Sequence, residues 1–196
     1  KPRPVQLNTW EALYFDINES TLLHLIEQAA QLGVERFVLD DGWFAGRNDD
    51  RTSLGDWWAD PIKLPRGLAP LVAACNQFDM EFGLWVEPEM VNPDSELYRC
   101  HPEWVLHHDP SPRMVARNQL VLDLARPEVQ AHLFEALAAL LNDHDIRYLK
   151  WDMNRDIHQA GNALGYPTSS HQTHGFYRLF DRVKTAFPHV EIEGCA

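Results

Sequence analysis

Cysteine is scarce in this chain. Cys75, Cys100 and Cys195 are scattered over 196 residues with no CxxC pair, which argues against a disulfide framework and for a reducing compartment. Long apolar runs are missing too: none approaches the ~18 residues a membrane helix requires. Basic residues are outnumbered, and the formal charge of −12 argues against nucleic acid and anionic membrane surfaces as partners. No G-x-G-x-x-G or G-x-x-x-x-G-K-[ST] follows any strand-like segment, and no HExxH occurs. His107-His108 and His171-x-x-His174 have no companions at metal-ligand spacing, so neither metal nor cofactor is expected. The opening Lys1-Pro2-Arg3-Pro4 has neither an initiator Met nor the apolar core of a signal peptide. Together with a strand pattern that stops at Ala196, this suggests a segment of a longer protein. Asn18-Glu19-Ser20 matches a glycosylation sequon, a triplet that arises often by chance.

Short apolar runs alternate with helical patterns. Residues 5–15 read as a strand leading into a loop, and 34–39, 82–86, 120–124, 146–152 and 190–193 as strands, with a small further strand at 104–106. Residues 19–33, 68–78, 127–143 and 169–187 carry helical periodicity; Gly33 stops the first and Pro127 opens the third. Strands alternating with crossover helices predict a parallel sheet. Polar residues close nearly every strand, whereas an open doubly wound sheet concentrates its site at one switch point. The expected fold is therefore an incomplete α/β (β/α)8 TIM barrel of about six strands, lacking its C-terminal units.

The strand ends carry the chemistry. Tyr148-Leu149-Lys150-Trp151-Asp152-Met153-Asn154 finishes an apolar strand with a cation, an indole, a carboxylate and an amide. Lys150 and Asp152 are two apart and share a face, so the ammonium is expected beside the carboxylate, keeping it ionised as a glycosidase nucleophile requires. Val38-Leu39-Asp40-Asp41-Gly42-Trp43 ends a second strand; adjacent Asp40 and Asp41 are expected to point to opposite sides. Leu84-Trp85-Val86-Glu87-Pro88-Glu89 ends a third, with Glu87 and Glu89 readable either as site groups or as solvated loop acids. Trp10, Trp43 and Trp85 fit either a sugar-stacking wall or the core. Acids beside indoles at the carboxyl ends of barrel strands point to a carbohydrate site.

Seven motifs in series extend that reading: Asn8-Thr9-Trp10-Glu11-Ala12, Leu39-Asp40-Asp41-Gly42-Trp43-Phe44, Arg47-Asn48-Asp49-Asp50, Leu54-Gly55-Asp56-Trp57, Gly83-Leu84-Trp85-Val86-Glu87-Pro88-Glu89-Met90-Val91, Arg117-Asn118-Gln119-Leu120 and Lys150-Trp151-Asp152-Met153-Asn154. In this order they closely resemble glycoside hydrolase family 36, the α-galactosidases or melibiases, from about residue 3 to the chain end. The resemblance implies that Asp152 is the nucleophile of a retaining hydrolase, forming a covalent galactosyl-enzyme from substrates such as melibiose and raffinose. It implies that Lys150 bonds the ring hydroxyls and tunes Asp152. Asp40 and Asp41 would take the C4 and C6 hydroxyls, and Trp85 and Trp10 would wall the −1 subsite. Arg117 would contact hydroxyls, and Asn154 and Cys195 would serve the C2 side.

In that family the general acid/base is an Asp on a later barrel strand, beyond the last residue here, and the flanking β-domains are absent as well. Residues 1–196 are thus expected to be the N-terminal and central part of the catalytic barrel and inactive alone. The resemblance also implies a cytoplasmic, homo-oligomeric full-length parent. Two other readings share the pocket: a galactosyl transferase of the raffinose- or stachyose-synthase kind, and a sugar-binding homologue without catalysis.

Overall fold

The computed structural model describes residues 3–108, 110–162 and 168–195; Lys1, Pro2 and Ala196, used above at the two ends, lie outside them. The elements run β1 (Gln6–Asn8), α1 (Trp10–Leu13), α2 (Glu19–Gln31), β2 (Arg36–Leu39), α3 (Ala69–Gln77), β3 (Glu81–Val86) and β4 (Met90–Val91). They continue with α4 (Glu96–Cys100), β5 (Leu120–Val121), α5 (Pro127–Asp143), β6 (Ile146–Asp152), α6 (Ser169–Ala186) and β7 (Glu191–Cys195). β1, β2, β3, β6 and β7 form one parallel sheet in that order, curled as a half-barrel. Phe37, Val38, Leu39, Phe82, Leu84, Trp85 and Val86 are all buried, the near-continuous apolar character that a parallel sheet covered on both faces demands.

Local sequence places the helices. Asn18 caps α2 by accepting the Thr21 N–H at 2.9 Å, so the sequon-like triplet has a structural use. Leu22, Ile26 and Ala29 bury one face of α2, and Gly33, at φ +78°, takes the left-handed conformation that ends it. α5 starts at Pro127 and buries Val129, Leu133, Leu137, Leu140 and Leu141. α6 crosses the chain after β5 so closely that a Cβ on Gly175 would lie 2.0 Å from the Leu124 carbonyl oxygen.

Three expectations change. Residues 120–124 do not join the parallel sheet: β5 pairs antiparallel with β4, in a small ladder beyond the carboxyl end of β3. Five strands, not six, therefore make the sheet among the described residues. A short apolar run advertises burial but not its partner, and here the partner is the chain that turns out of β3 at Pro88. The strand expected at 104–106 reduces to an isolated bridge between Val105 and Leu122. Residues 5–15 hold only three strand residues before one turn of helix, α1.

Candidate active site

Register brings the chemistry to one rim. Leu39, Leu84, Leu149 and Ile192 lie level across the sheet. Beyond that layer Trp85 pairs with Lys150, and Asp152 with Cys195. The strands thus deliver their last residues to a cavity of about 320 Å³, at the lower end of the ~300–1,000 Å³ range of small-molecule sites. Trp10, Asp40, Asp41, Trp85, Arg117, Lys150, Asp152, Asn154 and Cys195 all line it, joined by Phe15, Arg47, Asp50, Glu87 and Gln119.

Asp152 is buried and its orientation is set by three donors. Its Oδ2 accepts from the Trp85 indole Nε1 at 2.9 Å and from Asn154 Nδ2 at 2.7 Å, and its Oδ1 accepts the Met153 N–H at 2.9 Å. The expected direct pairing of Lys150 with Asp152 is not what forms: Lys150 Nζ donates to Asp40 Oδ2 at 2.9 Å. Two-residue spacing puts both groups on one face, but the long lysine stem reaches across β3 to a carboxylate level with its own root. Burial pulls the Lys150 ammonium down, yet the Asp40 hydrogen bond and the surrounding negative groups outweigh it, so its pKa is raised overall. Asp40 Oδ2 also accepts from Asn8 Nδ2 at 2.6 Å, and its backbone N–H donates to Thr9 Oγ1 at 2.9 Å.

Asp40 and Asp41 both face the cavity, against the expectation that neighbours point apart. Strand alternation ends at Leu39, and Gly42, at φ +109° with Phe15 Cα only 3.3 Å from where a Cβ would be, lets the chain turn back. Arg47 then grips Asp41 with a two-pronged pair, Nε to Oδ1 at 2.9 Å and Nη2 to Oδ2 at 2.8 Å. Burial pushes the Asp41 carboxyl up, and Arg47 opposes it. Lys63 braces the same turn by donating to the carbonyls of Phe15, Gly42 and Arg47 at 3.0, 2.9 and 2.6 Å. Sequence reasoning missed Lys63, and it held Arg47 only as part of a motif.

Glu87 and Glu89 are buried, at 1% and 6% exposure, not solvated. Glu87 accepts the Asn154 N–H and, through Oε2, Gln119 Nε2 at 3.0 Å; burial raises its carboxyl to about 7. Glu89 accepts from Trp151 Nε1 at 3.2 Å, and burial raises it to about 6. Trp43 belongs to the core behind the site, where its Nε1 donates to the Trp85 carbonyl at 2.9 Å. Trp10 stands at the cavity with its ring edge-on to Phe15, centroids 5.2 Å apart. Arg117 projects from a two-residue turn, and its Nη1 donates to the Asn154 carbonyl at 3.2 Å. Burial and the nearby Asp152 charge raise the Cys195 thiol. No group of three or more His, Cys, Asp or Glu side chains among the described residues is arranged to hold a metal ion.

The Melibiase family model matches residues 1–196. An α-galactosidase of Escherichia coli is 50% identical over the whole of this chain, which spans 28% of that protein. The crystal structure of the glycoside hydrolase family 36 α-galactosidase AgaA from Geobacillus stearothermophilus superposes with a TM-score of 0.95 at 47% identity, covering 98% of this chain and 28% of that one. Variants of AgaA in complex with raffinose and with stachyose match with the same TM-score at 46% and 45% identity, over the same shares of the two chains. With a match along its full length and six of the seven motifs contributing residues to one cavity, this chain belongs to the melibiase family.

Proposed function

We propose that these residues supply the nucleophile side of the active site of a retaining α-galactosidase. They would form the N-terminal and central part of a (β/α)8 barrel in a polypeptide of the relatives' length. The observation that carries the reading is the convergence of Asp152, the Lys150–Asp40 pair, the Asp41–Arg47 pair, Arg117 and Trp85 on one cavity at the strand ends. The complexes of the Geobacillus enzyme support raffinose-type oligosaccharides as substrates. Three free cysteines suit a reducing, cytoplasmic setting.

In this mechanism the Asp152 carboxylate attacks the anomeric carbon of a terminal galactose, and the glycosidic bond to the leaving oxygen breaks. A general acid from a later strand, outside these residues, protonates that oxygen. It then acts as base on the water that hydrolyses the galactosyl ester and regenerates Asp152. Trp85 and Asn154 hold the nucleophile in plane. Asp40 and Asp41, each tied to a cation, present oxygens to the C4 and C6 hydroxyls, where the axial C4 hydroxyl separates galactose from glucose. Trp10 and Trp85 wall the ring, Arg117 and Lys150 bond its hydroxyls, and Asn154 and Cys195 face C2.

Release of nitrophenol from an aryl α-galactoside by the full-length protein tests this beside Asp152→Ala. The expected result is turnover in the parent and a loss of at least about 10³-fold in the variant. A 2-deoxy-2-fluorogalactosyl donor should label Asp152, read by peptide mass spectrometry. Full activity in Asp152→Ala, or a label elsewhere, refutes the assignment.

A further inference from the structure

One buried side chain outside the cavity lining joins two arms of the site. Asn92 follows β4 and is completely buried. Its Oδ1 accepts from Arg47 Nη1 at 2.9 Å and from the Leu54 N–H at 2.8 Å. Its Nδ2 donates to the Asp50 carbonyl at 3.2 Å and to the Asn118 carbonyl at 2.8 Å. A carboxamide has two donor hydrogens and one oxygen with two lone pairs, so these four bonds use its full capacity. The first holds the guanidinium that grips Asp41; the last holds the turn that carries Arg117.

That turn needs holding. Arg117 and Asn118 are its two central residues, at φ +51° and +59°, between Ala116 and Gln119, whose backbones exchange hydrogen bonds at 3.2 and 2.9 Å. A turn with both central residues left-handed favours Asn-Gly, and arginine at its first position persists only where the surroundings impose it. Arg155 clamps the other side: it is buried, and its Nη1 donates to the carbonyls of Met114 and Gln119 at 3.0 and 2.7 Å.

We propose that Asn92 is a positioning residue that holds the Arg117–Asn118 turn in its left-handed conformation and ties it to the Asp41–Arg47 pair. One carboxamide thereby sets the spacing of two sugar-binding groups that come from different loops. The inference rests on the reading of Arg117 and Asp41 as galactose contacts.

Kinetics of the full-length protein on nitrophenyl α-galactoside test it. Asn92→Asp keeps the acceptors toward Arg47 and Leu54 but removes both donors, setting an anionic oxygen against the carbonyls of Asp50 and Asn118. KM should rise about tenfold with kcat changed less than about threefold, the mark of lost binding shared by ground and transition states. In an Arg117→Ala background the same substitution should move KM by less than about twofold, because the group it positions is gone. Adding Asn118→Gly, which enters the left-handed region freely, should bring the Asn92→Asp variant to within about threefold of the Asn118→Gly single variant. A merely structural Asn92 would give the same factor in both backgrounds and no rescue, and that result overturns the proposal. If Asn92→Asp does not fold, Asn118→Val opposes the same conformation from the turn itself. A KM rise that does not add to that of Arg117→Ala supports the proposal, and an unchanged KM overturns it. A wild-type protein that binds galactose in calorimetry without hydrolysing the glycoside overturns the hydrolase reading alone, and the coupling is then read from galactose Kd in the same variants. Neither turnover nor binding overturns both.

Discussion

Glu87 offers a quantitative test of how this site is built. It closes β3 inside the cavity wall at 1% exposure, and burial raises its carboxyl from the ordinary 4.5 to about 7. A carboxyl that is harder to ionise when folded favours the folded state below pH 4.5, where both states keep the proton. That contribution is lost as pH rises through about 7. At ~1.4 kcal/mol per pH unit of displacement, the folded protein carries a penalty of about 3 kcal/mol at pH 8 relative to pH 4.5. Glu87→Gln removes the ionisation while keeping an acceptor for the Asn154 N–H. Its new amide donor would face Gln119, whose Oε1 is buried with no hydrogen-bond partner among the described residues; rotation of the Gln119 carboxamide would pair the two. The variant should therefore lie within about 1 kcal/mol of wild type at pH 5 and be about 3 kcal/mol more stable at pH 8. Glu89, raised to about 6, is present in both proteins and cancels in the difference. Urea unfolding of the full-length pair at pH 5, 6.5 and 8 reads this directly. A stability difference that stays constant across those pH values, or a variant less stable at pH 8, refutes the argument.

Two further perturbations follow from the geometry. Trp85→Phe deletes the indole N–H that donates to Asp152 at 2.9 Å and should lower kcat by about 10- to 100-fold, with a smaller change in KM; an unchanged kcat would mean that Asp152 is oriented without it. Gly175→Ala should destabilise by ~3 kcal/mol or more despite alanine's better helix propensity, because the new Cβ would sit 2.0 Å from the Leu124 carbonyl oxygen. A melting temperature at or above wild type would show that α6 can slide without loss.

Much of the site was readable before folding was considered. Polar groups at the ends of apolar runs marked Asp40, Asp41, Lys150 and Asp152; Trp10 and Trp85 stayed open between wall and core, and Arg117, Asn154 and Cys195 were nominated through the family resemblance. The structure brings all nine to one cavity wall. Helix positions followed from periodicity and end signals, as at Gly33 and Pro127, whereas the capping role of Asn18 emerged only in the structure. Partnership was not readable. Lys150 chooses Asp40, 110 residues away, over the carboxylate two positions on. Glu87 and Glu89, ambiguous beside Pro88, turn out to be buried. Asn92 carries no local signal, because an asparagine before a proline looks like an ordinary turn.

Local pattern decides which residues stand at strand ends, since side-chain alternation and capping act over only a few residues. It therefore names the strand-end acids and Lys150 of this site and their order along the chain. It is blind to interactions whose strength depends on burial and on atoms far away in sequence. The lift of the Glu87 carboxyl, the Asp41–Arg47 grip and the four bonds of Asn92 exist only once β2, β3, β6 and their loops are packed together. Packing alone excludes the water that would otherwise screen these charges and satisfy these hydrogen bonds.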